Sequence, residues 1–351
     1  MTPLQRLNAV LAGSADAGCF VIAEAGVNHN GNPDLAHRLI DIAADAGADS
    51  VKFQTFNADA LASPKAEKAA YQKVQTGGEQ SQKEMLRALE LPHACYDGLR
   101  RHCRERSVMF LSTPFDEASA QFLVDLGVDA IKIGSGEVTN IPFLRMLAGT
   151  GLPLLLSTGM SDLAECHRAV SEVRAAGAAG LALFHCVSNY PARAEQANLR
   201  AMATLRAALQ VPVGYSDHVS GTTVSLASVA MGATLLEKHF TVDRSLPGPD
   251  HAASLEPSEL KSLIAAVREI STALGHGRKD PHPDELDTAR VARRSLHLAR
   301  DVAEGAVIGR DDLICIRPGT GLSPALLDAV LGQRATRALA AGDMLAFGDW
   351  R

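Results

Sequence analysis

Aromatic residues are scarce, at 4% of the 351 positions with a single Trp and four Tyr, in a chain whose composition otherwise reads as that of a soluble globular protein. No excess of basic residues exists either: 34 Lys and Arg face 40 Asp and Glu, and the formal charge of -6 argues against a general nucleic-acid or anionic-membrane surface. An anionic ligand would have to be met by a local cluster of lysines or backbone amides. No stretch approaches the ~20 apolar residues that span a bilayer, and the opening MTPLQRLNAVLAGSADAG, with one Arg and a mild apolar run, has no signal-peptide pattern. The six cysteines (19, 95, 103, 166, 186, 315) form no C-x-x-C and read as thiols of a reducing cytoplasm. What is abundant is apolar residue, 46%, enough in this length for one large domain and a small one.

The apolar residues are arranged rhythmically. Short β-rich runs occur at 20–26, 49–54, 108–113, 129–135, 152–158, 181–188, 211–217 and 233–239. Helical patterns lie between them, such as DLAHRLIDIAADAG (34–47) and AECHRAVSEVRAAG (164–177), both stopping at glycine. Eight β–α pairs in ~260 residues are the count of a (β/α)8 TIM barrel; a doubly wound open sheet is the rival. Residues 56–91 interrupt the rhythm with a long excursion, in which YQKVQTGGEQSQ is too polar and Gly-rich for a core, and loops of this length are usually functional. A barrel over 1–277 is expected, then a charged, Pro-containing and plausibly extended linker at 278–294. Residues 295–351 then read as a compact β-rich module.

In such a barrel the chemistry sits at the C-terminal strand ends. Those ends carry Glu24, Lys52, Gln54, Thr113, Lys132, Ser135, Ser157, His185, Ser188, Ser216, His218, Glu237 and His239. A strand alternates its faces, so Ser216 pairs with His218, and Leu235 with Glu237 and His239, while Lys238 points the other way. Lys52 and Lys132 with the Thr and Ser hydroxyls suit a phosphate or carboxylate, and the glycines of IGSGE and STGMS let backbone N–H groups approach it. His218 and His239, on adjacent strands beside Glu237, Asp217 and Asp250, suit one divalent metal with open positions. His29 and His251 lie in loops and are weaker candidates.

Nine stretches, IAEAGVNHNG (22–31), VKFQTF (51–56), LSTPFD (111–116), KIGSGE (132–137), LSTGM (156–160), HCVSNYP (185–191), GYSDH (214–218), EKHFT (237–241) and PGPDH (247–251), resemble the sialic acid synthase family. IRPGTGLSP (316–324) resembles the opening of that family's C-terminal antifreeze-like SAF domain, a β-clip module. The resemblance runs in order along nearly the whole chain. It implies an enzyme that condenses phosphoenolpyruvate with an N-acetylated mannose-type sugar, with Mn2+ as the divalent metal and Mg2+ or Co2+ as alternatives. By the same resemblance Lys52, Thr113, Lys132, Ser135, Ser157, Ser188 and Ser216 bind phosphoenolpyruvate, and His218 and His239 hold the metal. Glu24, Gln54, Tyr190 and Asp250 face the sugar, and Arg317 reaches its acetamido group from the partner subunit of a domain-swapped homodimer. Residue 316 is Ile where the family often has a basic residue.

The implied chemistry uses the metal as a Lewis acid on the sugar aldehyde. Attack by C3 of phosphoenolpyruvate follows, and Glu24 stabilises positive charge at C2. Glu237 either handles a proton or orients a ligand. Residues 69–91 resemble the branch that makes legionaminic acid from a 2,4-diacetamido-trideoxy-mannose. The alternatives are N-acetylneuraminate from N-acetylmannosamine, then pseudaminate. A pocket for a second acetamido group and a 6-deoxy carbon should be less polar than one for a free triol. Two other classes stand beside this reading: a metal-dependent aldolase, and a carbohydrate-binding protein built on the SAF module.

Overall fold

A computed structural model describes residues 1–63, 66–69, 72, 73, 76 and 81–351. Eight parallel strands are present: β1 (Phe20–Gly26), β2 (Ser50–Thr55), β3 (Met109–Pro114), β4 (Ile131–Ile133), β5 (Leu154–Ser157), β6 (Leu181–Cys186), β7 (Val213–Asp217) and β8 (Leu235–His239). Their order is β3-β2-β1-β8-β7-β6-β5-β4, and β3 lies beside β4. First and last strands pair directly, with Glu24 opposite His239, so the sheet curls into a nearly closed barrel. A doubly wound sheet would reverse its strand order at a switch point; this one does not.

The strands read as near-continuous apolar runs because both faces are covered. Val21, Ala23, Phe53, Phe110, Ile131, Ile133 and Leu236 point outward into the layer shared with helices, meeting Leu39, Ile40, Leu99, Leu144 and Leu263. Phe20, Ile22, Met109, Leu111, Leu155, Phe184 and Leu235 fill the interior, and the helix Pro3–Leu11 packs Leu7 and Val10 against them. The apolar run at the N-terminus therefore becomes part of the barrel's packing. The helices expected at 34–47 and 164–177 are Pro33–Asp45, capped by the Asn32 side chain, and Leu163–Ala175, opened by an Asp162–Glu165 capping box. Within the excursion the structure has helices Ala58–Leu61 and Gln82–Leu89, whereas most of YQKVQTGGEQSQ lies outside the described residues.

The chain forms two compact units, Met1–His276 and Gly277–Arg351. In the second, the segment 278–294 is not simply extended: a turn at Pro283–Glu285 leads into a helix Leu286–Ala292. Pro283 sits at a helical first position, where its missing N–H costs nothing. Beyond it β9 (Ser295–Leu298) pairs antiparallel with β10 (Leu313–Ile316). Isolated bridges such as Val302 to Leu339 and Ala335 to Trp350 knit the rest around a small core that includes Leu296, Leu298, Ile308, Val330 and Leu345.

Candidate active site

A cavity of about 480 Å³ opens at the C-terminal ends of the barrel strands. Its lining includes Glu24, Lys52, Gln54, Thr113, Lys132, Ser135, Ser157, Ser188, Tyr190, Ser216, His218, Glu237, His239 and Asp250. The structure thus gathers all the barrel residues singled out for phosphoenolpyruvate, sugar and metal, while Arg317 belongs to the second unit. His185 and Asp217 are the exceptions among the strand-end residues. His185 donates to the Ala197 carbonyl at 2.8 Å. Asp217 pairs with Lys238 on the outer face, so it is no neighbour of the mouth, as the alternation of Ser216 and His218 requires.

The two inward lysines organise the charge. Lys52 Nζ donates to Glu24 Oε1 at 2.8 Å and to Thr113 Oγ1 at 3.0 Å, and lies 3.8 Å from Glu237 Oε2. Lys132 Nζ donates to Ser157 Oγ at 2.6 Å, lies 3.6 Å from Glu237 Oε1, and sits over the Phe184 ring at 5.0 Å. Such buried ions persist only with partners. Desolvation pulls Lys52 down, but Glu237 and Glu24 outweigh it and hold its ammonium above the ordinary lysine value. Desolvation wins at Lys132, which is lowered despite Glu237.

The two carboxyl groups are driven apart. Burial raises Glu24 towards neutrality, with Lys52 opposing and Glu237 adding to the rise. Glu237 is also desolvated, yet Lys132 and Lys52 overcome that penalty, and the Ser216 hydroxyl donates to Oε1 at 2.9 Å, so its carboxyl is lowered. Opposite shifts on neighbouring carboxyls are a signature of divided acid–base roles. Asp250 is pushed up to about 6 by burial, with Lys52 opposing.

The imidazoles of His218 and His239 lie with ring centres 5.6 Å apart, and Tyr190 packs on the first at 4.1 Å. His218 Nδ1 donates to the Val187 carbonyl at 2.6 Å, which leaves Nε2 as the lone-pair nitrogen. Burial depresses His218 to about 4 and His239 well below the usual value, the latter helped by His218. Both rings are therefore neutral, as metal ligation requires. Three buried atoms here have no hydrogen-bond partner: His239 Nδ1, Glu24 Oε2 and Glu237 Oε2. Among the described residues no group of three or more forms a complete metal cage. The donor set fits a divalent ion that takes two protein nitrogens and completes its shell from water and substrate oxygen.

Close backbone approach is built in after β5. A Cβ on Gly159 would fall 2.4 Å from Ser188 Oγ, and the Gly159 N–H donates to Ser135 Oγ at 2.9 Å. His29 and His251 do not line the cavity. His251 shares hydrogen bonds with Thr241 (2.6 Å) and Asn30 (3.3 Å), bracing the loop that carries Asp250. Sequence reasoning missed one wall of the cavity: Val27, Leu61, Met85, Leu86, Leu89 and Phe115. The apolar Met85, Leu86 and Leu89, at i, i+1 and i+4 on one helix face among charged residues, were the available signal.

The NeuB family profile matches residues 39–279 and that of the SAF domain residues 293–349. The chain is 46% identical to N,N'-diacetyllegionaminic acid synthase of Legionella pneumophila, over 97% of either chain. It is 44% identical to the enzyme of that name from Campylobacter jejuni, over 91% of this chain and 96% of that one. Among solved structures, the N-acetylneuraminic acid synthetase of Leptospira borgpetersenii superposes with a TM-score of 0.69 at 36% identity, covering 77% of this chain and 90% of the other.

Proposed function

The chain belongs to the NeuB family and carries a SAF domain, and on that premise we propose that it joins phosphoenolpyruvate to a 2,4-diacetamido-trideoxy-mannose, forming N,N'-diacetyllegionaminate and inorganic phosphate. The observation that carries this reading is the buried pair of lysines in a cavity whose other polar features include two neutral imidazoles and a carboxyl near neutrality. The SAF domain, which a metal-dependent aldolase would not need, and relatives that are synthases support this reading over an aldolase or a non-catalytic sugar binder.

The balance is simple. C3 of phosphoenolpyruvate forms a bond to the sugar's aldehyde carbon, whose oxygen takes a proton and becomes a hydroxyl. Water adds at C2, the C2–O bond to phosphorus breaks, and phosphate leaves as C2 becomes a ketone. Lys52 and Lys132, with Thr113, Ser135, Ser157, Ser188 and Ser216, bind the phosphate and carboxylate of phosphoenolpyruvate. Glu24, raised to about 7, in its ionised form faces developing positive charge at C2 and accepts a proton from the water that adds there. Glu237, held ionised between the lysines, fixes both ammonium groups rather than carrying a proton. Gln54, Tyr190 and Asp250 orient sugar hydroxyls.

His218 and His239 would hold a divalent metal, Mn2+ first, with Mg2+ or Co2+ as alternatives. When bound it supplies Lewis-acid polarisation of a carbonyl oxygen. Arg317, exposed on the second unit with Nε donating to the Ala292 carbonyl at 3.0 Å, would serve the acetamido group in a partner subunit's barrel. The exposed apolar residues Leu286, Val291, Ile316 and Phe347 of that unit support a covered surface in a domain-swapped homodimer. Six unpaired cysteines support a reducing, cytoplasmic location. Among the described residues no helix is long and apolar enough to cross a membrane.

The test is phosphate release with Mn2+ present. Release that needs both phosphoenolpyruvate and the diacetamido sugar is expected; equal release without sugar would contradict the assignment.

A further inference from the structure

The cavity has two unlike halves. One holds the lysines, carboxyls and imidazoles. The other is mainly apolar, and the excursion after β2 supplies most of it: Leu61 from the helix Ala58–Leu61, and Met85, Leu86 and Leu89 from the helix Gln82–Leu89, beside Val27 and Phe115, with Gln72 and Gln82 the excursion's polar contributors to the lining.

This wall is built to stay in place. Met85 and Leu89 are buried against Val27 and Phe56, while Leu61, Leu86 and Phe115 pack on them and remain half-buried. Positions 82, 85, 86 and 89 fall on one face of a helix. From the opposite face Lys83 reaches Asp59 at 2.7 Å and Arg87 pairs with the same carboxylate, tying the two excursion helices together. A capping box formed by Ser81 and Glu84 starts the second helix. Apolar side chains held half-open towards a cavity gain by meeting apolar ligand surface, and nothing in the reaction's own chemistry uses them.

We propose that this wall is the specificity element for the sugar. It receives the end remote from the aldehyde, where a 6-deoxy methyl and the methyl of a second acyl group lie, and it disfavours a hydroxylated C6, which would lose its water against Leu61 and Leu86, side chains that offer no hydrogen bond. Leu61 and Leu86 are the key residues, since both are half-buried and line the cavity. The proposal rests on the reaction assigned above and names the class of sugar that the same site selects: a deoxy, twice N-acylated hexose. Apolar pockets discriminate a methylene by about 10–200-fold and reject an added hydroxyl by about 100-fold, which sets the size of the effect.

The experiment compares kcat/KM for 2,4-diacetamido-trideoxy-mannose with that for N-acetylmannosamine in the full-length protein with Mn2+. In the unaltered chain the ratio should favour the diacetamido sugar by about 100-fold. Leu86→Gln and Leu61→Ser should each compress it at least about tenfold, mainly through a raised KM for the diacetamido sugar, with the KM for phosphoenolpyruvate unchanged. Leu86→Met, apolar and similar in volume, should keep the ratio, which separates wall chemistry from a general loss of structure. An unchanged ratio in both polar variants, in a protein active on the diacetamido sugar, overturns the proposal and leaves the reaction standing. Inactivity of the unaltered protein on both sugars overturns the reaction and this proposal with it.

Discussion

Asp217 and Lys238 face each other across the β7–β8 ladder on the outer side of the barrel, one residue before His218 and His239 respectively, which face inward. Their charges meet at 2.9 Å with both side chains essentially inaccessible. Lys238 also donates to the Val219 carbonyl, and Asp217 accepts from the Val219 N–H (2.9 Å) and the Ser225 hydroxyl. One buried ion pair thus fixes the register and the turn on which both candidate metal ligands depend.

Breaking such a pair from one side strands a buried charge. Asp217→Ala or Lys238→Met should each cost roughly 3–5 kcal/mol in urea unfolding, and the double change to apolar residues should cost less than either. Mn2+ binding, read by loss of the free-ion EPR signal, should weaken in the single variants. His218→Ala and His239→Ala, by contrast, should abolish that binding with little change in stability. A His218→Ala protein that still binds Mn2+ normally would show the ligand assignment to be wrong.

Lys132 is held by Ser157 and Glu237 in the part of the cavity proposed for the anion. Lys132→Ala should raise the KM for phosphoenolpyruvate by about tenfold or more, since a charge-assisted contact is worth about 1.5–3 kcal/mol. The KM for the sugar should move far less. Equal weakening of both substrates would make Lys132 a structural residue.

Asp250 gives the pH dependence a sign. Burial raises its carboxyl to about 6, so the protonated form accumulates as pH falls through that value. With Asp250 as the proposed acceptor for sugar hydroxyls, that ionised acceptor is then lost, and the sugar KM should rise below about pH 6 while holding steady above it. Asp250→Asn should start from a higher KM and lack that limb. A limb of the same size in the Asn variant would assign it elsewhere.

Much of this was legible in the sequence. The expected strand runs all contain the observed strands apart from single residues past the ends of the second and third, because each apolar run stops at a polar strand end. Alternation alone placed Glu237 and His239 inward with Leu235, as observed. The same rule, applied to Asp217, would have sent it outward to Lys238; proximity in sequence to His218 had suggested the mouth instead. The apolar wall was hidden for another reason. Met85, Leu86 and Leu89 lie next to a polar, Gly-rich stretch, and only tertiary folding shows that their helix face turns onto a cavity rather than solvent. The helix Leu286–Ala292 was obscured by its charged surroundings, since none of its residues is buried.

Arg317 tests the proposed assembly. If it serves a partner's site, mixing Arg317→Ala chains with Glu24→Ala chains should restore activity in mixed dimers, in which one site in two regains both groups. Recovery to about a quarter of normal activity is expected at equal mixing with full subunit exchange, since about half the dimers are mixed. No recovery at any ratio, with exchange confirmed, would place Arg317 in its own chain's site or outside any site.

The central claim is a carbon–carbon condensation that expels phosphate by C–O cleavage. Its most direct measurement uses phosphoenolpyruvate labelled with oxygen-18 at the bridging position, incubated with Mn2+ and 2,4-diacetamido-trideoxy-mannose, with both products read by mass spectrometry. The account predicts a nine-carbon keto acid without the label and phosphate that carries it. Unlabelled phosphate, or pyruvate in place of the nine-carbon acid, would contradict it.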